Sequence, residues 1–132
     1  MGNSISSIKK SDYEDIQEYV RTRPDNVVLI NTLTEHEQDC LIESTLDAKK
    51  ETKIMNEIIS KKRKAKVIIY GKNYYDESVV KQYIKIQKLG VSEVSIYLGG
   101  IFEWLCLQEI YGSDLFPTTS TELDILKYKP HN

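Results

Sequence analysis

The chain has 132 residues, a formal charge of −2 and a pI near 5.7, with 40% hydrophobic and 29% charged residues. That is enough apolar material for the core of one compact domain, and the slightly acidic balance gives no global attraction to nucleic acid, so no nucleic-acid partner is expected. No apolar run approaches the ~20 residues that cross a bilayer, and the N-terminus lacks the apolar core of a secretory signal.

The two cysteines, Cys40 and Cys106, form no CxxC or Cys/His cluster. Zinc, a disulfide framework and any other cofactor are therefore not expected, and a reducing, cytoplasmic compartment is the simplest reading. Residues 1–10 are small and polar and read as a flexible N-terminal arm. Ser11-Asp-Tyr-Glu14 fits a capping box, in which the serine accepts from a helix amide and the glutamate reaches back. Tyr13, Ile16 and Val20 follow on one helical face, and Pro24-Asp-Asn ends that helix.

Val27-Val-Leu-Ile30 is an all-apolar run, as expected of a strand buried on both faces. Thr34 caps a short turn through Gln38, and Cys40-Leu-Ile42 reads as a second strand. Residues 49–62 read as a helix with Ile54, Met55, Ile58 and Ile59 inward. Lys66-Val-Ile-Ile-Tyr-Gly71 is a buried strand ending in a tight loop. Asp76 is placed as the N-cap of a helix from Glu77 to Leu89, with Val80, Tyr83, Ile84 and Gln87 inward. Val94–Tyr97 is the last strand. Gly99-Gly100 leads into an apolar helix over 101–111, and residues 121–132 are a C-terminal tail with little pattern. Strands alternating with helices predict an α/β domain over residues 11–120, with a parallel sheet of about five strands and helices on both faces.

Three segments carry a resemblance. Val27-Val-Leu-Ile-Asn31 resembles the first core strand of rhodanese-like domains, which typically reads LIDVR. Val67-Ile-Ile-Tyr-Gly71 resembles their central strand, which ends in VYC. Leu89-Gly90, Val94-Ser-Ile-Tyr-Leu-Gly-Gly100 and Trp104 resemble their late signature, whose spacing of glycines and tryptophan is unusual. The resemblance spans roughly residues 12–117, and the extended closing helix is similar to a divergent subset from eukaryotes and the large DNA viruses that infect them. It implies a three-layer rhodanese-like fold. In active members the first loop residue is a cysteine, and converging loop amides stabilise its thiolate or persulfide; related phosphatases use a longer loop of the same shape. That chemistry needs a sulfur nucleophile, inward amides and a positive field.

Compared with that pattern, the polar positions of this chain differ. Gly71 stands where the cysteine is expected. The family's loop arginine falls near Asp76 or Glu77, whose charge repels an anion at a helix N-terminus. Asn31 and Leu33 replace the aspartate and arginine of the first strand. The resemblance thus implies a degenerate loop, Gly71, Lys72, Asn73, Tyr74, Tyr75, Asp76, Glu77 and Ser78, and an inactive domain with no catalytic residue. Gly71 itself reads as a simple chain reversal, against an anion-binding turn that has kept its amides. An enzymatic alternative is a sulfurtransferase or phosphatase with a relocated nucleophile, Cys40 or a residue no motif marks. Cys106, between Leu105 and Leu107, reads as a buried small hydrophobe. His36, between Glu35 and Glu37, reads as an exposed histidine on a polar turn rather than a metal ligand or base, and Trp104 as core.

Three surface features remain. Tyr74 and Tyr75 sit on a loop tip and either pack there or contact a partner. Lys61, Lys62, Arg63, Lys64 and Lys66 form the dense basic run, which reads as a solvated helix end or a contact for anionic lipid or an acidic partner. Met1-Gly-Asn-Ser-Ile-Ser6 fits the Met-Gly-x-x-x-Ser/Thr pattern for N-myristoylation at Gly2. One myristoyl chain holds a membrane only marginally, so Lys9, Lys10 and the 61–66 run are the second signal. The resulting expectation is a catalytically inactive rhodanese-like binding module, with an unnamed protein partner, on the cytoplasmic face of a membrane in a eukaryotic cell or a virus infecting one. A soluble structural or virion-associated protein is a further alternative.

Overall fold

The computed structural model describes residues 8–131. The elements, in chain order, are β1 (Lys10–Ser11), α1 (Tyr13–Thr22), β2 (Val27–Asn31), α2 (Glu51–Ser60), β3 (Lys66–Tyr70), α3 (Glu77–Lys88), β4 (Glu93–Tyr97) and α4 (Gly100–Tyr111). Short 3-10 turns cover Glu35–Glu37, Ala48–Lys50 and Ile125–Tyr128. The four strands form one sheet in the order β1-β4-β3-β2, and every pairing is parallel.

Apolar runs at β2 and β3 and the buried residues of β4 dictate this arrangement, because strands covered on both faces need helices on both sides. One face packs α1 and α4 through Ile16, Val20, Ile101, Trp104 and Leu105. The other packs α2 and α3 through Met55, Ile58, Val79, Tyr83 and Ile86. Register places Asn31 beside Tyr70, so β2 and β3 end together, and the loop after Tyr70 emerges at the C-terminal edge of the sheet.

The described residues hold four strands, not about five. Cys40-Leu-Ile42 is not a strand; Ile42 makes only an isolated antiparallel bridge to Thr118. Its apolar side chains face the core beside Tyr70, whose hydroxyl accepts from Ile42 N at 3.1 Å, and no strand runs next to it. β1 was not foreseen, since two residues are too few to show a period. Ile8, within the stretch read as the arm, is buried. The strand is fixed by the buried Ser11–Ser95 hydroxyl pair at 2.7 Å and by the bond from Ile96 N to Lys9 O at 3.0 Å.

The α1 capping box is displaced by one residue: Asp12 accepts from Asp15 N, and Asp15 accepts from Asp12 N, both at 2.9 Å. Ser11 is taken by the sheet and cannot cap. The inward face of α3 is Val79, Tyr83 and Ile86, with Val80 and Ile84 half-buried and Gln87 exposed. Ile59 of α2 lies at the rim, not inside. The tail is also ordered: Tyr128 is buried in the α1/α4 core.

Candidate functional site

The loop from Gly71 to Ser78 joins β3 to α3. Asp76 is the N-cap of α3, and its carboxylate is the hub of the loop. Oδ2 accepts from Lys72 N at 2.9 Å. Oδ1 accepts from Ser78 N at 3.1 Å and from Ser78 Oγ at 2.6 Å, and Ser78 Oγ lies 2.7 Å from Thr32 Oγ1. Asn73 Oδ1 accepts from Tyr75 N at 2.8 Å, and Asp76 N donates to Asn73 O at 3.1 Å. These loop amides therefore spend their hydrogen bonds on the chain's own side chains and carbonyls.

Gly71 is not in the left-handed region, so the chain reversal does not demand glycine here. Close packing does. A Cβ at Gly71 would collide with Asp76 Oδ2 and stand 2.5 Å from Val79 Cγ2 and 2.8 Å from Thr32 Oγ1. Gly100 is required on the other side. Its φ is +67°, and a Cβ there would lie 2.6 Å from Gly71 O and 2.8 Å from Asn73 N. The start of α4 is thereby pressed onto the loop: Ile101 N donates to Gly71 O and Phe102 N to Lys72 O, each at 2.9 Å.

The loop's lysine is committed elsewhere. Lys72 Nζ pairs with Glu37 at 3.2 Å. Burial opposes ionisation of Glu37, but the Thr34 amide and hydroxyl and the Lys72 ammonium outweigh it and hold the carboxyl below its usual range. Asn31 ends β2 and Leu33 follows two residues on, and both are buried. The Asn31 amide pairs with the Gln38 amide, with Nδ2 donating at 3.1 Å and Oδ1 accepting at 2.8 Å, and Leu33 N also donates to Asn31 Oδ1. This pair locks the turn at 35–37 against the end of the sheet. It was not anticipated, because only the fold brings Gln38 under Asn31.

Tyr74 and Tyr75 project from the loop. They are 55% and 53% exposed, and their rings lie against each other, tilted by 34° with centroids 4.5 Å apart. Beside Tyr74 is a hollow of about 100 Å³ whose walls combine apolar side chains such as Ile8, Val79 and Ile96 with Lys10, Asn73 and Asp76. A larger, open depression of about 900 Å³ lies over the turn after β2, walled by Leu33, Asp39, Leu41 and Asp47 and by none of the loop residues. Glu77 is exposed at the start of α3.

The other candidates are scattered. Cys40 is buried, with Sγ donating to Ser120 O at 3.4 Å. Cys106 is half-exposed and not buried, because α4 turns that face away from the sheet. Burial and then the Glu103 carboxylate push its thiol pKa up, the opposite of activation. His36 is exposed, and no group of metal-ligating side chains occurs among the described residues. Trp104 is fully buried, donates from Nε1 to Pro117 O at 3.0 Å and packs edge-on to Phe116. Lys61, Lys62, Arg63 and Lys64 are exposed at the end of α2, while Lys66 pairs with Glu93 at 3.7 Å. Gly2 lies outside the described residues, and no described helix is long and apolar enough to cross a membrane.

Neither a protein-family model nor a curated protein matches the chain. Solved structures do. A yeast protein tyrosine phosphatase of the rhodanese family superposes with a TM-score of 0.66 at 14% identity, over 92% of this chain and 99% of that one. The fold is rhodanese-like. A single-domain sulfurtransferase from Saccharomyces cerevisiae shares the rhodanese-like fold with a TM-score of 0.57 at 16% identity, over 87% of this chain and the whole of that one. So does a possible tyrosine phosphatase from Rhodopseudomonas palustris, at TM-score 0.57 and 16% identity, over 80% of this chain and 95% of that one. Similarity at this identity establishes the scaffold; a fold hosts many chemistries, and activity must be argued from the site.

Proposed function

We propose that this is a non-catalytic rhodanese-like binding module. The observation that carries the reading is the Asp76 carboxylate, which accepts from Lys72 N and Ser78 N and crowds the space beside Gly71. A thiolate or oxyanion needs that space, those amides and a positive field. The loop instead offers a resident anion, a lysine paired with Glu37 and no sulfur.

The contact surface is the loop rim. Tyr74 and Tyr75 form a touching, exposed pair beside a hollow of mixed apolar and polar lining, and tyrosines of this kind dominate the energetics of many interfaces. Myristoylated Gly2 and the basic residues Lys9, Lys10 and Lys61 to Lys66 hold the module at the cytoplasmic face of a membrane.

Two experiments test this reading. Thiosulfate:cyanide and phosphatase assays on the whole chain are expected to show no turnover; turnover abolished by Cys40→Ser establishes the enzymatic alternative instead. Intact mass after expression in a eukaryotic cell is expected to carry one myristoyl group, with liposome flotation lost in Gly2→Ala. A protein without that mass, floating no better than Gly2→Ala, is a soluble protein and removes the membrane half of the proposal.

A further inference from the structure

The C-terminal segment packs against α4 and the loop after β3 and is fastened unevenly. Its upstream part is sewn to the body. Thr119 N donates to Leu41 O at 2.8 Å, and Thr119 Oγ1 and Ser120 Oγ both donate to Asp39 O, at 3.2 and 2.8 Å. Beyond Ser120 the bonding turns inward. Asp124 N donates to Glu122, Lys127 N to Asp124 O and Lys129 N to Leu126 O, while Lys127 Nζ pairs with Glu122.

One hydrogen bond among the described residues ties 121–131 to the rest of the chain: Asn73 Nδ2 donates to Tyr128 O at 2.7 Å. The Tyr128 side chain supplies the other anchor. It is 1% exposed and shares a core with Cys40, Tyr70 and Trp104, and Ile125 packs partly against the same core. The residues around it face solvent, with Leu123 90% and Leu126 63% exposed. Cys40, 3% exposed, lies in the same core as Tyr128, and its thiol donates to the carbonyl of Ser120, the last fastened residue.

A segment held by one aromatic anchor, one half-buried isoleucine and one hydrogen bond opens at far lower free energy than strands paired on both sides. We propose that residues 121–131 are a displaceable strap, latched by Tyr128 and Asn73, whose release leaves the sheet folded and uncovers Cys40 and the inner side of the 71–76 loop. The strap couples the tail to the loop directly, because the latch residue Asn73 also holds Tyr75 N. A partner engaging the exposed tyrosine pair therefore pulls on the residue that retains the strap.

The test uses the full chain with Cys106→Ser, which leaves Cys40 as the single thiol, and measures its rate of reaction with an aromatic disulfide reagent at neutral pH. Tyr128→Ala is expected to raise the rate by roughly tenfold or more, Leu123→Ser to leave it unchanged, and a synthetic peptide of residues 121–131 added to the Tyr128→Ala chain to restore protection. An unchanged rate in Tyr128→Ala overturns the strap. Amide exchange in the unsubstituted chain covers the case in which Tyr128→Ala does not fold. Lys127 and Lys129 amides are expected to exchange at least about tenfold faster than Ile68 and Ile69; equal protection in both regions shows that the strap opens only with the whole domain and refutes the proposal.

Discussion

Asp76 and Gly71 occupy the same space from two sides. The Asp76 carboxylate lies where a side chain on Gly71 would begin, with Val79 and Thr32 closing the remaining room. Gly71→Cys therefore does not simply restore a nucleophile. The new side chain must displace Asp76, which accepts from two backbone amides. Overpacking of this kind costs about 1–3 kcal/mol, so the variant is expected to unfold at lower urea than the parent and to transfer no sulfur from thiosulfate to cyanide. Sulfur transfer by that single variant would show that the loop re-forms an anion site by itself.

Asp76→Ala isolates the second half of the same relationship. It removes the α3 N-cap, a loss of about 1 kcal/mol, and Asp76→Asn is expected to recover most of it because an amide oxygen still accepts from Ser78 N. In the Asp76→Ala background the cost of Gly71→Cys should shrink, since the colliding oxygen is gone. Denaturation of the two single variants and the double variant measures this as a coupling energy, and strict additivity would mean that the two residues do not compete.

Much of the scaffold was legible in the chain, and the reason is local. β2 and β3 each hold four successive apolar residues, β4 keeps Val94, Ile96 and Tyr97 around Ser95, and the Gly99-Gly100 pair followed by Trp104 has a distinctive spacing. The features that were missed depend on distant partners. β1 exists because Ser11 meets Ser95 across 84 positions, and a two-residue strand leaves no period to read. Cys40–Ile42 has strand composition but only an isolated bridge for a neighbour. Gly71 looks in the sequence like a simple reversal, whereas its smallness answers to Asp76, Val79 and Thr32. The burial of Tyr128 has no local signal at all, since Leu123 and Leu126 beside it are equally apolar and exposed.

Trp104 ties α4 to the segment after it. It stacks edge-on with Phe116 at 5.0 Å and Tyr97 at 6.3 Å and donates to Pro117 O. Trp104→Ala is expected to cost about 3–5 kcal/mol, a large share of the stability of a domain this size. Trp104→Phe keeps an aromatic ring and loses only the indole bond to Pro117 O, which still accepts from Glu43 N at 3.1 Å, and is expected to cost less. Thermal unfolding followed by far-ultraviolet circular dichroism ranks the three; equal melting of Trp104→Phe and Trp104→Ala would make the hydrogen bond, not the ring, the larger contribution.

Glu51 gives the chain a pH dependence of definite sign. At the start of α2 it is half-buried, and burial raises its carboxyl to about 7, with the Lys85 ammonium opposing the shift. An unfolded glutamate titrates near 4.5. A folded state that holds its proton more tightly is favoured at low pH, so this group's contribution to stability is largest below about 4.5 and declines as pH rises to about 7, after which it is flat. Removing the charge should abolish the decline: Glu51→Gln is expected to match the parent at pH 4 and exceed it at pH 8. Urea midpoints at those two pH values decide the matter. A variant that is no more stable than the parent at pH 8 would mean that Lys85 and solvent already satisfy the carboxylate.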